Sequence, residues 1–251
     1  MSLKDKNIVV TGGSRGLGLG MVEAFVAHGA RVTVVARGAE SLAEVKKRLG
    51  VATISADVAD GTASRIVADV RPDILVLNAG AKPPMGRLDD LGWPDFNATW
   101  ETDVKAGLYW VQAALKVPLK PGSRVLLGSS GAALNLSPLS GAYAGAKRML
   151  WIMAKYANGV SQQKSLGIQF QVIVPLQMVG GTGVGDAGAK AYSRVAGLEP
   201  EAFLARFGAP MPPRDFGNKV VSVLEEPEFS NGFAFGLNGE KGITILEGLQ
   251  S

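Results

Sequence analysis

Apolar residues fall along the chain in short, nearly unbroken runs rich in valine, isoleucine and leucine, at residues 8–11, 31–35, 52–55, 74–77, 124–127 and 170–174. A strand with one wet face alternates apolar and polar positions, whereas a continuous run marks a strand covered on both faces, as in a parallel sheet between helices. Between the runs lie stretches that suit crossover helices, at residues 17–28, 41–49, about 99–115 and about 143–161. The first of these stops at Gly29, a residue suited to the left-handed turn that closes many helices. This alternation predicts an α/β fold, a parallel sheet with helices on both faces. No internal linker or short repeat interrupts it, so residues 1–251 read as one domain.

The pattern loosens after residue 176. Residues 179–188 are glycine-rich and read as mobile. Residues 199–207 read as a short helix with Pro200 in its first turn, 209–213 as a proline-broken loop, 215–224 as a helix and 232–235 as a last strand. An insertion between the sixth strand and the final helix sits above the carboxyl ends of the strands, where ligands bind in open α/β sheets. Residues 176–215 are therefore expected to form a substrate lid.

Composition narrows the function classes. Apolar residues make up 47% of the chain and charged residues 19%, which suits a large core and not a disordered chain. The net charge of +4 comes from basic residues spread along the chain, without the clusters of a nucleic-acid surface. A basic cleft for an anionic small molecule is the better reading. With no cysteine and a single histidine, neither disulfides nor a transition-metal site is expected. No apolar stretch approaches the ~20 residues of a membrane span, and the N-terminus lacks a signal-peptide pattern, so a cytoplasmic protein is expected. His28 reads as a helix-end group, and Trp93, Trp100, Trp110, Met149, Trp151 and Met153 as packing residues.

The first strand runs into Thr11-Gly12-Gly13-Ser14-Arg15-Gly16-Leu17-Gly18. Glycines permit a sharp turn that brings backbone N–H groups to a ligand, and the helix that follows points its positive end there, which suits a pyrophosphate. The second strand ends in Ala36-Arg37, where an acid would bond the ribose 2′-hydroxyl of NAD. With no acid in that place, Arg37 and Arg15 offer two guanidinium groups to a 2′-phosphate. At roughly 1.5–3 kcal/mol per charged hydrogen bond, two would favour NADPH over NADH by about 10²-fold or more.

Further motifs follow in order. Asp57-Val58 comes after the third strand, Asn78-Ala79-Gly80 after the fourth, and Ser130 after the fifth, within Gly128-Ser129-Ser130-Gly131; Tyr143-Ala144-Gly145-Ala146-Lys147 opens the next helix. Over about residues 6–175 the chain resembles the short-chain dehydrogenase/reductase family. The resemblance implies a doubly wound α/β Rossmann fold with a seven-stranded parallel sheet and helices on both faces, assembly as a homodimer or homotetramer, and hydride transfer between a nicotinamide cofactor, here NADP(H), and a carbonyl or alcohol. It implies cofactor contacts from Gly12, Ser14, Arg15, Gly16, Leu17 and Gly18 of the turn, from Arg37, from Asp57 and Val58 near the adenine, from Asn78, Ala79 and Gly80, and from Tyr143, Lys147 and Pro175. It also implies Ser130, Tyr143 and Lys147 as the catalytic groups.

Tyr143 and Lys147, at i and i+4, share one helix face. A carbonyl oxygen needs a proton donor as hydride arrives at carbon, and a free phenol, with a pKa near ~10, holds its proton too tightly to exchange it efficiently at neutral pH. A cation about 4 Å away favours the phenolate by roughly 4 kcal/mol at an effective dielectric near 20. Lys147 is placed to supply that cation, and by the resemblance it also holds the nicotinamide ribose hydroxyls. Ser130 is placed to bond the substrate oxygen as charge develops on it. Ser129 is the neighbouring candidate, and the spacing to Tyr143 favours Ser130.

Several positions depart from the family pattern. Asp103 stands where many members carry an asparagine that anchors a water chain to the lysine. An ionised aspartate accepts hydrogen bonds but donates none, so Asp103 orders water, pairs with Lys147, or weakens the proton relay. Pro175-Leu176 replaces Pro-Gly, Thr182 is out of register for a carboxamide-binding threonine, and Asn238-Gly239-Glu240-Lys241-Gly242 departs from the family's ending. Ala133, Leu134, Leu136, Met178, Phe203 and Phe207 are candidates to line a pocket for a small to medium apolar substrate. The competing reading is an NADP-binding sensor or scaffold of the same fold, without turnover.

Overall fold

A computed structural model of the chain describes residues 2–246. The first half alternates β1 (Asn7–Thr11), α1 (Gly16–Ala27), β2 (Arg31–Ala36), α2 (Ala39–Leu49), β3 (Ala52–Ser55), α3 (Ala63–Val70) and β4 (Ile74–Leu77). The second comprises α4 (Trp93–Thr99), α5 (Lys105–Lys116), β5 (Arg124–Gly128), α6 (Ala132–Asn135), α7 (Tyr143–Gln163), β6 (Gln169–Pro175), α8 (Gly183–Ala196), α9 (Pro200–Leu204), α10 (Pro213–Glu225), β7 (Ala234–Asn238) and β8 (Gly242–Leu246). The sheet order is β3-β2-β1-β4-β5-β6-β7-β8, whose first six positions are the doubly wound order with its reversal between β1 and β4.

The central strands β1 and β4 are almost wholly buried because both faces are covered. Ile8 and Val10 of β1 point into a core beneath α1, α2 and α10, while Val9 points into a second core under α3, α5 and α7. α1 and α10 pack backbone to backbone: a Cβ on Gly20 would lie 2.0 Å from the Pro213 carbonyl oxygen, and one on Gly217 would lie 2.2 Å from that of Gly20. His28 closes α1, with Nδ1 3.2 Å from Glu225 Oε2.

The sheet has eight strands, not seven, and the last is antiparallel to β7. The unusual Asn238–Gly242 stretch is the hairpin turn between them, where Asn238 Oδ1 accepts from the N–H groups of Glu240 and Lys241 at 3.0 Å each. Residues 179–188 do not form a loop throughout: Thr182 caps α8, its Oγ1 accepting from Gly185 N at 3.0 Å, and this cap outweighs the low helix preference of the glycines. The helix expected from residue 99 begins at Trp93, with Pro94 in its first turn, and passes through a π-helical turn at Trp100–Val104 before continuing as α5. Trp93 lies outside the core, 70% exposed, and stacks on Phe96. Trp110 and Trp151 are buried as expected. Among the described residues no helix is long and apolar enough to cross a membrane.

Candidate active site

The carboxyl ends of β1 to β6 open on one cavity of about 730 Å³. At one end lies the glycine turn. Gly12 takes φ +67°, and a Cβ there would lie 2.8 Å from Ala79 Cα; a Cβ on Gly18 would lie 2.1 Å from the Gly12 carbonyl oxygen. Larger residues would push the turn off the end of β4. Thr11 Oγ1 locks the two strand ends together, donating to Val76 O at 3.3 Å and accepting from the N–H groups of Asn78 and Ala79 at 3.0 and 3.1 Å. No side chain caps the start of α1, and Arg15, Gly16 and Leu17 line the cavity. The first-turn N–H groups are thus left for a ligand, and the cradle fits a dinucleotide pyrophosphate.

Arg15 and Arg37 both lie exposed at the rim of the cavity. Arg37 Nη1 is 3.6 Å from Asp57 Oδ2, with the two side chains 73% and 46% exposed. Such an open pair is weak, so Arg37 can turn to an anion. Asp57 Oδ1 also accepts from Ala59 N at 2.9 Å.

At the other end of the cavity the two serines after β5 divide sharply. Ser129 is buried, donating to the Lys147 carbonyl at 2.9 Å and accepting from Trp151 Nε1 at 2.8 Å. Ser130 lines the cavity, and its Oγ accepts from Ala132 N at 3.2 Å, which leaves its O–H to a ligand. Tyr143 opens α7 on the cavity wall, with Lys147 Nζ 5.7 Å from its ring centroid.

Lys147 is buried, and its Nζ donates to Gly128 O at 3.3 Å. Behind it, 2.9 Å from Nζ, is Asp103 Oδ2, in a side chain with no exposure. Asp103 comes from the π-helical turn, and its Oδ1 accepts from Ala81 N at 2.7 Å and Thr102 Oγ1 at 3.0 Å. The Trp100 indole of the same turn donates to Ala142 O at 3.3 Å, just ahead of Tyr143. Burial disfavours the charged ammonium, but the charges of Asp103 and then Tyr143 outweigh it, and the Lys147 pKa is raised above the usual lysine value. A Cβ on Gly80 would lie 2.8 Å from Asp103 Oδ2, so that glycine makes room for the pair.

A family model described as short chain dehydrogenase matches residues 6–184. The chain belongs to the short-chain dehydrogenase family. It is therefore a member of an oxidoreductase family that uses nicotinamide cofactors. A cis-2,3-dihydrobiphenyl-2,3-diol dehydrogenase of Paraburkholderia xenovorans is 31% identical over 73% of this chain and 68% of its own length. An oxidoreductase of Botryotinia fuckeliana is 28% identical over 87% of this chain and 84% of its own. A 3-dehydrosphinganine reductase of Arabidopsis thaliana is 40% identical, but the match spans only 31% of this chain and 26% of that protein.

Measured against the dehydrogenase pattern, every expected cofactor residue except Gly18 lies on the cavity wall, together with Ser130. Gly18 packs beneath the turn, and Asp103 stands behind Lys147 and is not among the cavity-lining residues. Leu136, Met178, Phe203 and Phe207 line the cavity; Ala133 and Leu134 are not among its lining residues. Leu176 lies over β7 where Gly236 has no side chain, since a Cβ there would meet Leu176 Cδ1 at 2.5 Å. Thr182 lines the cavity, but its hydroxyl is engaged, donating to Val179 O at 2.8 Å and capping α8. Among the lining residues that sequence reasoning did not single out are Ser41, in the first turn of α2, whose Oγ donates to Gly38 O at 3.0 Å, and Tyr192 of α8, in a stretch to which the sequence pattern assigned no element.

Proposed function

We propose that this chain is an NADP(H)-dependent oxidoreductase that interconverts a small to medium apolar carbonyl compound and its alcohol. The observation that carries this reading is the meeting, in one cavity, of an uncapped glycine turn rimmed by two arginines and the Ser130, Tyr143 and Lys147 side chains. Gly12, Ser14, Gly16 and Leu17 would hold the pyrophosphate, Arg15 and Arg37 the 2′-phosphate, Asp57 and Val58 the adenine side, and Asn78, Ala79, Gly80 and Pro175 the remainder. The bound cofactor supplies or takes up the hydride. In the reducing direction carbonyl, NADPH and a proton give alcohol and NADP⁺. Tyr143 delivers that proton to the substrate oxygen, Ser130 donates a hydrogen bond to the same oxygen, and Lys147 holds positive charge beside the phenol. Asp103 keeps Lys147 protonated and in place. Residues 176–215, which carry α8 and α9, act as the substrate lid.

NADPH oxidation with a panel of ketones and aldehydes and NADP⁺ reduction with a panel of alcohols test this, and the names of the relatives put 3-dehydrosphinganine on the first panel and ring dihydrodiols on the second. Turnover with NADPH preferred over NADH is expected. The variant Tyr143→Phe should lose turnover by about 10³-fold or more, a general acid's full contribution, while NADPH affinity stays within a few-fold by calorimetry. One observation favours a second reading: the Asp103 carboxylate offsets, at the phenol, the charge that Lys147 brings. NADPH binding without turnover across both panels would support a sensor or scaffold in place of an enzyme.

A further inference from the structure

Leu136, the residue after α6, has φ 64° and ψ 174°. This region is occupied almost only by glycine, because a Cβ collides with the backbone there. The strain is not offset by burial: Leu136 is 76% exposed, yet it lines the cavity. An exposed leucine in a glycine conformation gains little from burial, and the cavity is where an apolar partner would arrive.

The same cavity has an aromatic wall. Phe203 stacks face to face on Tyr192, at 6.0 Å and 9°, and meets Phe207 edge-on at 5.5 Å and 66°. Phe207 is 39% exposed. The wall is tied to the residue after Leu136, because the Tyr192 hydroxyl lies 2.8 Å from Ser137 Oγ and accepts from Leu139 N at 3.2 Å. From there Ser140 Oγ donates to Ser137 O at 3.0 Å, and Tyr143 N donates to Ser140 O at 3.1 Å. One short loop thus joins the strained leucine, the aromatic wall and the proposed proton donor.

Aromatic faces and edges attract flat rings, and an isobutyl group adds apolar contact. We infer that Leu136 and the Phe203–Phe207 wall form a ring-binding subsite. The substrate is then a carbonyl or alcohol carried on a flat apolar ring, and Leu136 is a residue that determines this specificity. The inference rests on the oxidoreductase reading above and narrows its substrate class.

The test compares 1-tetralone, a flat ring ketone, with 2-butanone, a small open-chain ketone, in NADPH-linked assays of wild type, Leu136→Gly, Leu136→Ala and Phe203→Ala. In Leu136→Gly and Phe203→Ala, the ratio of kcat/KM for the ring ketone to that for the open-chain ketone should fall about tenfold, the worth of one well-buried apolar contact. Leu136→Gly should also melt about 2–4 °C above Leu136→Ala, since glycine relieves the strain that alanine keeps. At an ordinary position glycine is the less stable of the two. An unchanged ratio, or a glycine variant that melts below the alanine variant, overturns the inference. Absence of turnover with every carbonyl would end the oxidoreductase reading alone. Calorimetric titration of 1-tetralone into NADP⁺-saturated protein then decides the subsite: binding that weakens about tenfold in Leu136→Gly supports it, and no binding to wild type overturns it.

Discussion

Two buried cations stand at opposite ends of the sheet and are neutralised in different ways. Arg124 opens β5 at the amino end, where Nε donates to Gln171 Oε1 at 2.7 Å and Nη1 donates to the carbonyls of Val223 and Leu224 at 3.1 Å each. Those carbonyls belong to the last turn of α10, where the helix dipole favours a cation. Burial pulls the Arg124 pKa down to about 10, which leaves it charged at neutral pH. Lys147 lies at the carboxyl end, with one carbonyl and one carboxylate for company, and its pKa moves up. A cation surrounded by carbonyls on a closed edge ties a helix to a strand. A cation balanced by a full charge and facing a cavity keeps its proton and remains available to a ligand.

Substitutions at each end break this comparison. The largest effect is expected from Lys147→Met, which should lower kcat by about 10³–10⁴-fold, the range of a general acid–base group and its support. Asp103→Ala should cost about 3–5 kcal/mol of stability in denaturant titration, because it strands a buried ammonium without its counter-charge. Asp103→Asn sharpens the point through pH. Since the folded pKa of Lys147 is raised, the stabilisation from the pair is fully present below the unfolded lysine value of about 10.4 and is lost as pH rises through the higher folded value. Wild-type stability should therefore fall as pH rises above about 10.4, whereas in the asparagine variant, where burial acts on the ammonium without its counter-charge, that alkaline fall should disappear and stability should rise with pH as the lysine gives up its proton. Arg124→Met should cost about 1–3 kcal/mol, since the Val223 and Leu224 carbonyls lose their donor, while kcat changes by no more than about twofold; a fall in kcat equal to that of Lys147→Met would erase the contrast. The smallest effect is expected at the rim: Arg37→Asp should raise the KM for NADPH about tenfold, as loss of one charged hydrogen bond would, and leave that for NADH nearly unchanged.

What could be read from the chain divides along physical lines. Strands covered on both faces carry their own signature, so β1 to β6 were legible to within two residues, as was the i, i+4 pairing of Tyr143 and Lys147. β8 was not, because it is a short edge strand with two exposed residues, and its turn read only as a departure from the family's ending. α8 was obscured by Gly183, Gly185 and Gly188, whose low helix preference is overcome by the Thr182 cap and by close packing: a Cβ on Gly185 would lie 1.9 Å from the Val179 carbonyl oxygen. At the site, pairing with Lys147 was one of three roles that fit an aspartate at position 103, and only the tertiary approach of α7 brings the two side chains to 2.9 Å. Nothing in the sequence marks the backbone of Leu136, where the residue contradicts its local conformation. Such conflicts between local preference and fold arise where something other than local stability is being specified.

The π-helical turn at Trp100–Val104 puts the helix that runs from Trp93 to Lys116 out of phase with itself. A wide turn holds one residue more than a regular one, and one residue corresponds to about 100° of rotation. Deleting a single residue there would let a uniform helix close and would swing the Asp103 carboxylate off the axis that points at the ammonium. Residue count in this helix thus works as a reading frame for the site, and a one-residue slip would disarm it with every named side chain still present.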